Sequence, residues 1–349
     1  MAQNTRKKNY RVRYDRIIFV ILILAVLILI LSSCISSCGK KKEHGAVNPD
    51  NPLEDQLETL PDGQPVPTTE AAAPPPGGYQ TITKASDDIH SGDLILVNAE
   101  YPCDFDETAI SDGTSTDISF VTIKSVLDTK TEKHYTAADW EVGLDRTAAY
   151  AMDAWFEAFY QATGNTDIRM IKGYTADSGD YDFRAGRTLT MGIYPDNGSS
   201  NFYKPEGDYA WLDEHAAEYG FVVRYPEDKL AQFDDTITSR TSATYRYVGI
   251  AAATYMRSNS LCLEEFLKEI KNYSIDSMLR VSSGDAQYGM YYIPANVASA
   301  ETSFAVPSGD GSYTISGNNV DGFVITVFLN DAARTEPTSA TPHYEDLDE

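Results

Sequence analysis

Residues 17–31 read IIFVILILAVLILIL, fifteen apolar residues without a break, and the uncharged SSCISSC carries the run on to Cys38. As a helix the run 17–38 spans ~33 Å, about the thickness of a bilayer core. Soluble helices of this length keep a polar face, and this one has none. Six basic residues precede the run (Arg6, Lys7, Lys8, Arg11, Arg13, Arg16) and three follow it (Lys40, Lys41, Lys42). That asymmetry places residues 1–16 in the cytoplasm and everything after Cys38 outside, a single-pass cell-membrane topology.

Two readings of the span stay open. It is an uncleaved transmembrane signal anchor, or, because Leu31-Ser32-Ser33-Cys34 resembles a bacterial lipoprotein cleavage box, it ends in a lipid on Cys34. Both leave the body tethered outside the membrane. Residues 39–78 hold eight prolines among Glu, Thr and Ala. Such a segment buries too little apolar surface to order itself, so it reads as a disordered stalk. The far end, 331–349, reads as a second loose tail with six acids and one Arg.

Charge excludes one class of partner. The chain carries a net −24; nine basic residues against one acid put +8 of this in the first 42 residues, so the remainder carries −32. A body that acidic repels nucleic acid, whose binders need a basic face to displace counterions.

Between Tyr79 and Leu329 the patterns are globular. Leu144, Ala148, Ala151, Trp155, Phe159 and Ala162 recur at helical steps, and Gly164 supplies a stop. Short strands are expected at 93–98, 118–126, 168–171, 189–194, 221–225 and 245–248. Helices are expected at 211–219, 249–257 and 261–272, the last capped by Ser260. The final third reads as β-rich, with SGNNVDG joining the last two strands as a hairpin. No regular βαβ rhythm appears, so the expected class is α+β: a small mixed or antiparallel sheet packed with helices, a β-rich C-terminal extension, and one transmembrane helix before them. The expected boundaries are 79–275 for the main domain and 276–330 for its extension.

Residues suited to chemistry are sparse. HExxH, CxxC and phosphate-loop patterns are absent. Of the five histidines, His215 alone falls on an expected helix, with Glu218 three residues on; such a pair binds metal or sits as a surface pair. Cys103 and Cys262 are the only thiols of the body. Outside a membrane they are candidates for a disulfide, with two separate buried thiols as the alternative.

The order of short motifs is more specific. Ser91-Gly-Asp-Leu-Ile-Leu-Val-Asn98 is followed by Lys172-Gly-Tyr-Thr-Ala176 and Thr190-Met-Gly-Ile-Tyr-Pro-Asp196. Tyr219-Gly-Phe-Val-Val-Arg-Tyr-Pro226, Tyr245-Arg-Tyr-Val-Gly249 and Leu263-Glu-Glu-Phe-Leu267 complete the series. Over about 91–273 the chain resembles the VanY-type D-alanyl-D-alanine carboxypeptidases, zinc enzymes that trim bacterial cell-wall peptides.

The resemblance departs where that family does its chemistry. The family's Ser-x-His-x-x-Gly-x-Ala-x-Asp stands here as Arg187-Thr-Leu-Thr-Met-Gly-Ile-Tyr-Pro-Asp196, so Leu189 occupies the histidine's place while Asp196 is kept. The family's Glu-Pro-Trp-His, general base and last ligand, stands as Thr241-Ser-Ala-Thr244, and the Arg after Gly-Tyr is Thr175. Of the three metal positions Leu189, Asp196 and Thr244, one retains a ligand, whereas catalytic zinc needs three. The resemblance therefore implies a membrane-anchored carboxypeptidase-like protein without catalytic residues and without zinc, which binds cell-wall peptide or regulates wall remodelling. Tyr174, Asp196, Arg224, Tyr245, Arg246 and Tyr247 are the candidates for its groove, with plain fold roles as the alternative for several. Two other functions stay open: an acidic interaction module that docks a wall-associated protein, and a metallopeptidase with a replaced ligand set that includes His215.

Protease added to wall-stripped cells should release a soluble fragment cut within 39–78. A body that stays protected would contradict the orientation drawn from the basic flanks.

Overall fold

The computed structural model describes residues 78–334, apart from 104, 112, 114, 116–117, 177–180, 234–242, 297 and 310. The apolar run 17–38 with Cys34, the stalk before residue 78, the tail beyond Arg334 and Thr241 lie outside the described residues. No helix among the described residues is long and apolar enough to cross a membrane.

The described chain opens with strand β1 (Tyr79–Ala85) and a short helix α1 (Glu107–Ser111). Strand β2 (Phe120–Thr122) runs directly into helix α2 (Ile123–Asp128). The single strand expected over 118–126 is cut at Thr122, whose side chain accepts from Ser125 N and so starts the helix. Strands β3 (Thr136–Ala137) and β4 (Gly143–Asp145) lead to the long helix α3 (Arg146–Thr163). Asp145 caps its start by accepting from Thr147 N, and Gly164 ends it in the left-handed region at φ 70°. Of the residues at helical spacing, Leu144, Ala148, Ala151, Trp155 and Phe159 are buried, joined by Met152, whereas Ala162 near the end of the helix is exposed.

Strands β5 (Ile168–Lys172), β6 (Thr188–Ile193), β7 (Asn201–Phe202) and β8 (Phe221–Val223) follow. Between β7 and β8 lies helix α4 (Ala210–His215), which tightens into a 3₁₀ turn over Ala216–Tyr219 and stops at Gly220. Only glycine fits there: φ is 80°, and a Cβ would lie 2.6 Å from the Tyr247 ring. Strand β9 (Thr244–Tyr247) is succeeded by α5 (Ile250–Ser258) and α6 (Leu263–Glu269). Cys262, not Ser260, caps α6, in a reciprocal arrangement with Glu265. The last third holds β10 (Leu279–Ser283), β11 (Ala286–Pro294), β12 (Glu301–Pro307), β13 (Tyr313–Gly317), β14 (Gly322–Phe328) and a final turn of helix, α7 (Asp331–Arg334).

The central sheet has the order β3-β5-β6-β9-β8, with β7 on β6; β3 and β5 are parallel and the other pairs antiparallel. One face packs on α3 around Trp155, which is fully buried, stacks on Phe221 and meets Tyr245 edge-on. A second, four-stranded sheet, β10-β11-β14-β13, is antiparallel throughout, and the β1–β12 ribbon contributes Ile82, Phe304 and Val306 to the apolar cluster it shares with Phe323 and Ile325. This is a mixed α+β architecture.

Residues 93–98 were expected as a strand; Leu94, Ile95, Leu96 and Val97 are buried, but the segment pairs with no described strand. They are taken up by the β13–β14 turn instead. Leu94 N donates to Ser316 Oγ (2.8 Å) and Leu96 N to Asn318 O (3.1 Å), while Asn319 Nδ2 donates to the carbonyls of Leu96 and Tyr101. Asn318 Oδ1 in turn accepts from the N–H groups of Val320, Asp321 and Gly322, which closes the turn. The SGNNVDG motif thus joins the β-rich part to the rest of the fold as well as making a hairpin.

Of the two cysteine alternatives the structure has the separate buried thiols: no disulfide joins Cys103 and Cys262. Cys103 packs with Ile95, Val97 and Phe105, and Cys262 packs at the start of α6 with Leu263 and Phe266 nearby in the chain, its thiol pushed up to about 12 by burial. A fragment beginning at Tyr79, denatured without reductant, should titrate two thiols with a disulfide-exchange reagent; none would contradict this arrangement.

Candidate functional site

The central sheet sorts the candidate residues by face, because successive side chains of a strand point to opposite sides. Leu189 pairs with Tyr245 across β6 and β9, and Thr190 pairs with Thr244. Leu189, Met191, Tyr245 and Tyr247 belong to the apolar core around Trp155. Thr188, Thr190, Thr244 and Arg246 form the other face, where the hydroxyls of Thr190 and Thr244 lie 3.2 Å apart. Positions 189 and 244 are therefore on opposite sides of the sheet. Asp196 is on neither: it lies exposed in the turn closed by Gly198 N and Pro195 O, after β6 has ended.

The polar face is an ion-pair network. Asp182, which the sequence reading did not single out, sits in the 3₁₀ turn Tyr181–Ala185 and is 3% exposed. Its Oδ2 accepts from Arg224 Nε and from the Tyr225 hydroxyl, and its Oδ1 accepts from Arg246 Nη1 at 3.2 Å. Arg224 also grips Glu264 on α6 with both Nη groups, at 2.7 and 3.0 Å. Arg246, fully buried, spends its remaining donors on the carbonyls of Ile95, Asp93, Tyr247 and Asp182 and on the Thr188 hydroxyl. Beside it Arg187 donates to Asp93 (2.8 Å) and faces Asp145 (3.8 Å).

Electrostatics follows from that burial. Desolvation and the neighbouring guanidinium groups outweigh Asp182 and bring Arg246 down to about 10. Desolvation by itself would lift the Glu264 carboxyl, but Arg224 holds it below its ordinary value of 4.5. Burial raises Asp145 despite Arg187. Tyr225, Tyr245 and Tyr203 are all raised, chiefly by burial, so their hydroxyls stay protonated and donate.

Six residues were expected to line one groove. The structure brings four of them, Arg224, Tyr245, Arg246 and Tyr247, to β9 and the residue after β8, where all are buried and engaged in packing, hydroxyl contacts or ion pairs. Tyr174 stands apart, edge-on to Phe120 in the cluster around Ile95. His215 has Nδ1 2.8 Å from the Trp211 carbonyl, to which it donates, and its ring stacks on the Trp211 indole. Glu218 is exposed in the following 3₁₀ turn.

An open cleft does exist on the apolar side. Lys204, Glu206, Asp213, Val223, Tyr225 and Glu227 line a cavity of about 540 Å³, and Asp213 accepts there from the Tyr245 hydroxyl at 2.8 Å. A second cavity of about 210 Å³ shares Asp213, Val223 and Pro226 with it and reaches Met256 and Leu261.

No family model matches the chain. A D-alanyl-D-alanine carboxypeptidase of Enterococcus faecium is 28% identical over 268 residues, 71% of this chain and 78% of that relative. Another of the same description, from Enterococcus faecalis, is 48% identical over 63 residues, 18% of this chain and 22% of that relative. Among solved structures, the vancomycin-resistance D,D-dipeptidase VanXYg, in complex with a D-Ala-D-Ala phosphinate analogue, superposes with a TM-score of 0.56 at 24% identity, over 72% of this chain and 100% of that one. That last likeness is one of fold. The chain is thus similar to D-alanyl-D-alanine carboxypeptidases over most of its length, in line with the VanY-type resemblance of its motifs.

The family's zinc does not fit the residues described. Leu189 offers no ligand and points into the core, Thr244 lies on the other face, and Asp196 is in an exposed turn. Among the described residues no three His, Cys, Asp or Glu side chains converge to hold a metal ion. Thr241, at the family's base position, lies outside the described residues.

The Arg224–Glu264 pair gives a pH signature. Because the folded pKa of Glu264 is depressed, the pair's stabilisation is complete above about pH 4.5 and is lost as pH falls through the lower folded value. Glu264→Gln should cost about 2 kcal/mol in urea unfolding at pH 7. The gap to the unmodified protein should narrow toward pH 3; a constant gap would contradict the pairing.

Proposed function

We propose that this protein is a membrane-anchored, extracellular member of the carboxypeptidase family that binds cell-wall peptide without cleaving it. The observation that carries this reading is the register of β6 and β9, which sets positions 189 and 244 on opposite faces of the sheet. Hydrolysis by the family's route needs a metal-bound water, since a free water keeps far too high a pKa to ionise at neutral pH. A base must also take its proton, and the corresponding residue is Thr241. His215 is a poor replacement ligand, because its Nδ1 is committed to Trp211 and its ring is stacked.

Retention of the fold with an open cleft supports a binding role. The buried charges stabilise that fold and leave the cleft lining as the accessible polar surface near it. The basic flanks of residues 17–31 support anchorage with the body outside.

The test is metal content, hydrolysis and wall retention measured on one preparation. The purified protein should hold no stoichiometric zinc, release no D-alanine from a peptide ending in D-Ala-D-Ala, and sediment with insoluble peptidoglycan. Leu189→His with Thr244→His should not create a tight zinc site. Tight zinc with metal-dependent D-alanine release would overturn the reading, and so would failure to sediment with peptidoglycan.

A further inference from the structure

The central sheet ends on β8, and no described strand lies beyond it. Its main-chain bonding is one-sided. Arg224 N donates to Thr244 O (3.0 Å) and Val248 N donates to Gly220 O (2.8 Å), so residues 220, 222 and 224 are the ones that bond to β9. In an antiparallel pair the alternate residues turn their N–H and C=O to the opposite edge. On β8 these are Phe221 and Val223. Phe221 is fully buried, but Val223 is half-buried and lines both cavities of the cleft. Among the described residues nothing pairs with the Val223 N–H or C=O.

Carboxylates border that edge. Glu206, Asp213 and Glu227 line the larger cavity and Asp228 the smaller. Arg257 is held by Asp213, at 3.6 Å and through the Asp213 carbonyl, which leaves Lys204 as the cation facing the larger cavity. The smaller cavity also has an apolar lining, with Phe221, Met256 and Leu261. An open strand edge, an apolar floor and an excess of carboxylates define a peptide site of a particular kind.

We propose that β8 accepts an extended peptide as an added strand, bonded to Val223, with an amine-bearing side chain of the lysine type against Glu206, Glu227 and Asp228. Strand addition takes its affinity from main-chain bonds and its selectivity from the side chains alongside. The inference deepens the peptide-binding reading above and reverses its electrostatics. With carboxylates around the open edge, the site recognises a cationic side chain rather than a terminal carboxylate.

The probes are the capped pentapeptide Lys-Thr-Lys-Thr-Lys, its Glu-Thr-Glu-Thr-Glu counterpart, and the lysine peptide N-methylated at every amide. They are titrated by fluorescence anisotropy into the full chain in detergent. The lysine peptide should bind at least about tenfold more tightly than the glutamate peptide, and N-methylation should weaken it about tenfold or more, because the added strand loses its donors. Val223→Pro removes an outward N–H without touching a bond to β9 and should weaken binding to a similar degree. Should that variant fail to fold, the methylated peptide asks the same question of the unaltered protein. Equal affinity for the methylated peptide, equal affinity for the glutamate peptide, or no binding of the lysine peptide at about 1 mM overturns the proposal. Lysine-peptide binding without peptidoglycan retention keeps the edge site and removes the wall reading; retention that is indifferent to Val223→Pro, with no preference for the lysine peptide, does the reverse.

Discussion

Asp182 lies between two buried guanidinium groups, and the placement of three elements depends on it. It ties the 3₁₀ turn 181–185 to Arg246 on β9 and to Arg224 just beyond β8, and Arg224 carries the tie on to Glu264 on α6. Taking an ion out of water costs several kcal/mol, which is recovered only where the partners are close and the remaining hydrogen bonds are made. Arg246 meets that condition with six acceptors, including the main-chain carbonyls of the irregular segment 93–95. Those carbonyls have no strand partner, so the guanidinium does for that segment what a β-ladder would have done.

This commitment governs what the polar face of the sheet can do. Its charges are already opposed by charges, Thr188 meets Arg246, and Thr190 meets Thr244. The apolar face is filled by Trp155 and the aromatic residues around it. Among the described residues, the sheet's border at β8 keeps main-chain groups and exposed carboxylates beside an open cleft.

Some of this was legible in the sequence and some was not. Helix α3 was, because its apolar residues recur at helical spacing and Asp145 and Gly164 mark its ends. Strands β5, β6, β8, β9 and β14 were legible within a residue or two, since runs such as IRMIK and GFVITVF are β-branched and bounded by turns, whereas β7 and β10 were not expected. Residues 93–98 look like a strand because they hold a short apolar run, but its burial comes from the SGNNVDG turn, where Ser316 is 222 residues from Leu94. The 118–126 strand was over-extended because Ile123, Val126 and Leu127 suit either period, and the cap at Thr122 decides. For the site, Arg224, Tyr245, Arg246 and Tyr247 stand in the motifs of the resemblance, but a motif does not say which side chains are buried. Asp182 lies in none of those motifs, so nothing marked it as their counter-charge.

These charges belong to the fold. Equilibrium urea unfolding of Asp182→Ala tests this most directly. Removing the shared carboxylate leaves two buried guanidinium groups without it, and the expected loss is about 3–5 kcal/mol with the folded-state spectrum altered. A loss under about 1 kcal/mol, within the range of exposed ion pairs, would mean that Arg224 and Arg246 find water or another partner and that the network does not hold these elements in place.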